Sequence, residues 1–265
     1  MAQQARISSP PQLPQEAYQY AGMYQLGNPV AVYRVSFRQN SVGGIFCLLL
    51  AVVLVYIIHQ DGFYVFDNPS AVFFVILVLL FAAGGVYLLV FYPLIHGSWR
   101  IYACTGGFVF LKGSKAVACR WDQVAFVWQR ITRHYTNGVY TGTSFKYTVR
   151  RADGVEIIIN QQIRNGAQLG TLIQREATSR LTPRALAGFQ AGQTLQFGPF
   201  SVSRQGLGTS RGMLPWNEVQ QVSANRGVVV IQQRGQRRGK SYGGVDKVPN
   251  LYVFFNVANA IAKGR

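Results

Sequence analysis

The sequence predicts a membrane-spanning helical hairpin followed by an α+β soluble part made of two blocks. Two long apolar runs without a charged residue occupy most of residues 42–95. After residue 96 the pattern changes to short alternating segments, and a series of strands followed by one helix occurs twice. Each block is therefore expected to be a bent antiparallel sheet or small barrel, closed by a C-terminal helix.

The segment before the hairpin has little to bury. Residues 1–20 are rich in Gln, Pro and Ser, which predicts a disordered tail. The first apolar run begins only at Val42, so no cleavable signal sequence is expected. Residues 21–41 form a short juxtamembrane segment, in which the alternation from Val30 to Phe37 fits either a strand or an interfacial stretch.

The hairpin is predicted as helices over 42–58 and 71–95. At 1.5 Å per residue they would be about 25 Å and about 37 Å long, around the roughly 30 Å of a bilayer core. A pair of buried helices in a globular core is the alternative, which 25 uncharged residues in a row disfavour. In the second run, Ala82–Gly85 would permit close packing on the first helix or on a second copy, or would merely bend the helix.

Charge placement predicts the orientation. Arg34 and Arg38 precede the first helix and Arg100 follows the second, whereas the connecting loop holds Asp61 and Asp67 and no Lys or Arg. In membrane proteins, the loops that carry more Lys and Arg next to the helices remain on the cytoplasmic side. We therefore expect a two-pass protein of the inner (cytoplasmic) membrane with both termini in the cytoplasm.

The two soluble blocks are predicted over 96–182 and 192–265. The first reads as about six strands and a helix up to Leu181, which Pro183 would end. The second reads as short strands and a final helix from Leu251 to Lys263. Val248-Pro249-Asn250 supplies its start signals.

The blocks share a W-[DN]-[QE]-V-x-x-V pattern, at Trp121–Val127 and at Trp216–Val222. A glycine turn precedes each copy, and an amphipathic helix ends each block, so we interpret the blocks as an internal repeat. Within the pattern we expect a packing role, with ligand contact as the alternative, for Trp121, Val124, Trp216 and Val219.

At this point the chain resembles a known type of protein. Strands closed by one C-terminal helix, with a W-x-x-V element leaving the third strand, resemble the bacterial pleckstrin-homology-like (PH-like) domains. Over residues 21–265 the chain is similar to an uncharacterised bacterial membrane family in which a transmembrane hairpin precedes tandem PH-like domains. Its best markers are Phe197-Gly198, Gly206-Leu207, Leu214-Pro215-Trp216 and Val248-Pro249-Asn250. The resemblance brings no catalytic residues with it.

Basic charge is concentrated in the soluble part. Residues 96–265 carry 23 Lys/Arg against 6 Asp/Glu. The densest cluster is the glycine-rich stretch 234–247, where Arg234, Arg237, Arg238 and Lys240 are candidates for anionic lipid headgroups or a partner. A solvated loop without a ligand is the alternative.

A second basic zone, residues 130–151, mixes cations with aromatic residues. Its candidate contact residues are Arg130, Arg133 and Lys146. Such mixing also occurs on nucleic-acid platforms, which is the disfavoured interpretation.

No clustered nucleophile, base or metal-ligand set stands out, so no enzyme activity, cofactor or metal is expected. Cys47, Cys104 and Cys119 fit no disulfide framework or zinc pattern. The expected function is a membrane-anchored cytoplasmic module for interaction or lipid-headgroup sensing. The alternative is an accessory or scaffold subunit with a membrane protein partner or a second copy of itself.

Overall fold

The computed structural model of the chain describes residues 13–60 and 69–264. It divides into two compact units. The first comprises residues 1–31, 102–109 and 118–265, and the second comprises residues 32–101 and 110–117.

The second unit contains the two long apolar helices. The first of them is α2 (Arg38–Gln60), and the other runs through α3 (Pro69–Val86), a π-helical turn (Tyr87–Phe91) and α4 (Tyr92–His96). Their apolar windows each have a mean hydropathy of 2.8, and only 11% and 6% of those windows are buried. Both helices are thus long and apolar enough to cross a membrane, and neither is packed like the core helix of a soluble protein.

Small residues allow these two helices to meet closely. A Cβ added at Gly85 would lie 3.0 Å from the Gly44 carbonyl oxygen, and one added at Gly44 would lie 3.2 Å from the Gly85 carbonyl oxygen. The predicted close approach to the first helix is therefore confirmed at Gly85. The π-helical turn comes just before Pro93, whose missing N–H removes one regular helical hydrogen bond.

The first unit begins with a helix where the sequence predicted a tail. Helix α1 spans Gln15–Met23, with Ala17 and Ala21 buried. The Tyr102 hydroxyl donates to the Glu16 carboxylate (2.9 Å). The disordered-tail prediction is thus wrong for residues 15–20, because two alanines one turn apart give the helix a face to bury. Residues 1–12 lie outside the described part.

Strands β1 to β7 form two antiparallel sheets, in the orders β1-β2-β3-β4 and β5-β6-β7. The alternating stretch from Val30 to Phe37, which fitted either a strand or an interfacial segment, begins with strand β1. The apolar hairpin lies between β1 and β2 in the sequence. The predicted first block, 96–182, therefore omitted its first strand. The bounds are β1 (Pro29–Arg34), β2 (Arg100–Cys104), β3 (Gly107–Lys112), β4 (Lys115–Arg120), β5 (Val124–Thr136), β6 (Val139–Arg151) and β7 (Glu156–Asn160).

Strands β8 to β14 form two further antiparallel sheets with the same numbers of strands, in the orders β11-β10-β9-β8 and β12-β13-β14. Their bounds are β8 (Leu195–Phe197), β9 (Phe200–Val202), β10 (Gly206–Thr209), β11 (Gly212–Pro215), β12 (Val219–Asn225), β13 (Val228–Gln233) and β14 (Lys240–Gly244). Helix α5 (Gly166–Gln190) follows the first seven strands, and α6 (Leu251–Lys263) follows the second seven. The predicted bounds of the final helix are confirmed.

Helix α5 continues through Pro183, so the prediction that this proline ends the helix is wrong. A proline inside a helix costs about 3 kcal/mol. The residues around and after it bury apolar surface against the core of the second block, which offsets that cost: Leu181, Ala185, Leu186 and Phe189. Helix α5 is thus shared by the two blocks.

The two blocks also share local geometry around the repeated pattern. The strand register shifts between Val124 and Phe126 in β5, and between Val219 and Gln221 in β12. Earlier in each block a glycine lies against the strand that leads to the tryptophan. A Cβ on Gly107 or on Gly206 would lie 2.3 Å from a carbonyl oxygen of that strand. The fold therefore requires glycine at both places.

Candidate functional site

The repeated tryptophans lie inside the protein. Trp121 and Trp216 are each 2% exposed. The Trp121 indole donates to the Thr105 carbonyl (3.0 Å), and the Trp216 indole donates to the Ser203 carbonyl (2.8 Å). Val124 and Val219 are buried as well. The one polar atom of each indole is thus already bonded within its own block.

The four cations predicted on the basic loop differ in their contacts. Arg234 donates to the Ala262 carbonyl (2.8 Å) and so serves the C-terminal turn of α6. Arg237, Arg238 and Lys240 are exposed around the turn before β14. Arg234 therefore has a structural role that its three neighbours do not share.

The sheet β5-β6-β7 does bring predicted residues together. Arg130 on β5 lies directly opposite Lys146 on β6, which in turn lies opposite Asn160 on β7. Opposed residues of antiparallel strands share a face, with their Cβ atoms about 5 Å apart. The three residues form a row across the sheet, here called the cation row. Arg133 is three positions from Arg130 and so belongs to the other face.

The charges around the row are unevenly matched. Arg150 stacks on the Trp128 ring (4.9 Å to its centre) and bonds to the Glu156 carboxylate, with Nε 2.8 Å from Oε1. Arg130 makes a long ion pair with Asp246 (3.9 Å), and 71% of its side chain is exposed. In the ranges that the structure covers, no carboxylate comes within salt-bridge distance of Lys146. The row thus carries two neighbouring cations with one long ion pair, that of Arg130, and the Glu156 and Asp246 carboxylates line the smaller of the two clefts beside them.

Two shallow clefts of about 320 Å³ and about 260 Å³ flank the row, and both are lined by Arg130 and Lys146. The larger cleft adds the hydroxyls of Thr132 and Ser144 and the amide of Asn160. Guanidinium, ammonium, hydroxyl and amide groups are hydrogen-bond donors to an anion such as phosphate.

Asn160 and the two hydroxyl residues were absent from the sequence-based candidates. Asn137-Gly138 was the available signal. Both residues have positive φ (50° and 80°) at the β5-β6 turn. Such a dipeptide marks a two-residue hairpin turn, but that signal is only partial: the turn alone would place Arg130 opposite Phe145, and the register shift between His134 and Tyr135 brings Lys146 there instead.

The two thiols outside the apolar helices are buried, and burial keeps them protonated at neutral pH. Burial raises the pKa of Cys104 to about 11 and, against the opposing charge of Arg151, the pKa of Cys119 to about 12. Across residues 13–60 and 69–264, no group of three His, Cys, Asp or Glu side chains is placed to hold a metal ion.

Comparison with known proteins places the chain in a family. No curated protein and no solved structure matches it. One family model, described as a family of unknown function (DUF6585), matches residues 1–265. Because that match spans the whole sequence, the chain belongs to the DUF6585 family.

Proposed function

We propose that this protein is a membrane-anchored module that binds the phosphate group of anionic lipid headgroups on its cation row. The two exposed apolar helices supply the anchor, and the PH-like interpretation of each block is supported by seven strands followed by one helix. The Lys/Arg bias next to the helices supports the inner-membrane location with both termini in the cytoplasm.

The observation that carries the proposal is the pairing of Arg130 with Lys146. Like charges directly opposite each other destabilise a sheet. A bound phosphate that accepts from both side chains would remove the repulsion and gain charge-assisted hydrogen bonds. The Thr132 hydroxyl and the second N–H of the Asn160 amide, whose first N–H donates to Gln162, would donate to the remaining phosphate oxygens.

Binding can be measured by calorimetry on the full chain in detergent micelles. The probes are soluble short-chain lipids, dihexanoyl phosphatidylglycerol and its zwitterionic phosphatidylcholine counterpart. We expect the phosphatidylglycerol probe to bind and the phosphatidylcholine probe not to bind. Inorganic phosphate is tested separately as a competitor. If phosphate competes only weakly, the site is assigned to a lipid headgroup. If phosphate binds as tightly as the phosphatidylglycerol probe, the site is assigned to free phosphate.

The decisive comparison uses two double variants that lose the same charge. Arg130→Gln with Lys146→Gln should weaken binding by about tenfold or more, because the loss of even one charge-assisted hydrogen bond removes about 1.5 kcal/mol. Arg237→Gln with Arg238→Gln removes two cations from the exposed loop and should leave the affinity nearly unchanged. Equal losses in both variants would show unspecific charge attraction and refute the proposal.

A further inference from the structure

The β5-β6 hairpin is much longer than its counterpart in the second block. Strands β5 and β6 have 13 residues each, whereas β12 has 7 and β13 has 6. With the two W-x-x-V patterns aligned, the second hairpin turns at Arg226-Gly227, a place that corresponds to residues 131–132. The part of the first hairpin beyond that place, residues 131–145, is called the distal ribbon below.

The distal ribbon projects from the sheet with little support. The last pairing to β7 is that of Lys146 with Asn160, so the ribbon has two strands only. Every residue from Arg130 to Thr141 is exposed. A two-stranded ribbon is marginally stable by itself. The fold does not need these residues, since the second block closes without them.

Apolar side chains are concentrated at the tip. Tyr135, Val139 and Tyr140 are 59%, 67% and 55% exposed. The two tyrosine rings meet edge to face, with their centres 5.9 Å apart. Large apolar side chains grouped at an exposed tip mark a contact surface.

The charge of the hairpin indicates what the tip contacts. From Gln123 to Ala152 the sequence has five Lys/Arg and no Asp or Glu. Tyrosines prefer the boundary between lipid chains and headgroups, and cations just behind them gain about 1 kcal/mol each near an anionic leaflet. A nucleic acid fits less well, because Val139 offers no stacking surface and the tyrosine rings lie against each other.

We propose that the tip of the distal ribbon inserts into the interfacial region of an anionic bilayer. Tyr135, Val139 and Tyr140 enter the headgroup layer, and Arg133 meets the lipid phosphates. The tip is about 20 Å from the cation row, at about 3.3 Å per residue. The two contacts therefore involve separate parts of the hairpin. This inference goes beyond headgroup binding because it assigns an apolar contact to other residues.

Insertion can be measured with an environment-sensitive fluorophore on Val139→Cys, in the full chain reconstituted into phosphatidylglycerol nanodiscs. The matched control carries the same label on Gln236→Cys, an exposed position in the turn between β13 and β14. The unsubstituted chain gives the background from its native thiols. We expect a blue-shifted emission that brominated lipid chains quench at position 139, and neither effect at position 236.

Two further variants separate the possible outcomes. Tyr135→Ser with Tyr140→Ser should abolish the quenching, and both sites are exposed, so the fold should persist. Arg130→Gln with Lys146→Gln should retain most of the quenching of the label at position 139. Failure of headgroup binding and failure of insertion are therefore distinguishable. An unquenched label at position 139 would overturn the proposal. Tyrosine-dependent binding of single-stranded RNA without lipid quenching would overturn it in favour of a nucleic-acid surface.

Discussion

Replacement of Asn259 tests how α6 is fixed to its own sheet. The Asn259 side chain accepts from the Val222 N–H (2.8 Å) and donates to the Val222 carbonyl (2.9 Å). Val222 is 1% exposed, so Asn259→Ala leaves a backbone donor and acceptor without water. At about 1–3 kcal/mol for each of the two buried unsatisfied groups, we expect a loss of about 2–6 kcal/mol in the free energy of unfolding.

Asn250 makes the matching pair of bonds to the first block. It accepts from the Val127 N–H (2.9 Å) and donates to the Ala125 carbonyl (2.8 Å). Its φ is +52°, a left-handed conformation that costs a residue with a Cβ about 1–2 kcal/mol. Asn250→Gly should therefore remove the two bonds alone, and Asn250→Ala should cost about 1 kcal/mol more.

Hydrogen exchange on the full chain in detergent, read by mass spectrometry, locates each loss, and urea unfolding measures its size. Asn259→Ala should speed exchange in peptides that contain Val222, and Asn250→Gly in peptides that contain Val127. The reasoning is refuted if either loss stays below about 0.5 kcal/mol, the size of an ordinary surface substitution. Loosening of both segments to the same extent by either variant would also refute it.

Three further predictions concern the apolar hairpin, the buried thiol and the cation row. Gly85→Ala should lower the thermal stability of the protein in detergent by an amount equivalent to about 1–3 kcal/mol, because the added Cβ would lie 2.7 Å from the Leu48 side chain. Gly84→Ala, whose Cβ would meet nothing within 4 Å, is the control. Because the pKa of Cys119 rises from the ordinary 9.0 to about 12 on folding, its contribution to stability is complete below pH 9.0 and falls as the pH rises towards 12. Cys119→Ala should therefore flatten the decline of urea stability above pH 9.0, and an unchanged slope would contradict the assignment. Arg130→Gln with Lys146→Gln should raise the free energy of unfolding by about 0.2–1 kcal/mol in the absence of an anion, and a loss would show that the pair stabilises the sheet.

Features of the fold that depend on local signals were predictable from the sequence. The uncharged runs gave the long apolar helices, and the residues before Leu251 gave the start of α6. Asn250 itself does not cap that helix, since its side chain bonds to β5 instead. Helix α5 outlasts Pro183 because Leu186 and Phe189 find a partner surface in the second block, which no local pattern records.

In the candidate site, the composition was predictable from the sequence, whereas the strand register was not. The abundance of cations drew attention to Arg130, Arg133 and Lys146, but only pairing decides which of them meet. A shift of one residue moves a side chain to the opposite face of a strand. Here the turn and the register shift between His134 and Tyr135 place Arg130 opposite Lys146. Arg133 lies on the opposite face of the sheet from Arg130 and Lys146, although it carries the same charge and is only three residues from Arg130.

The second block shows that this fold does not require the cation row. With the W-x-x-V patterns aligned, Asn225 on β12 takes the place of Arg130. It pairs with Val228 on β13, which in turn pairs with Gly244 on β14. The same sheet is therefore built with no charge in this row. Two opposed cations and the long distal ribbon are departures of the first block from a plan that the second follows without them. The second block is built without either feature, which supports the proposal that both serve binding outside the chain.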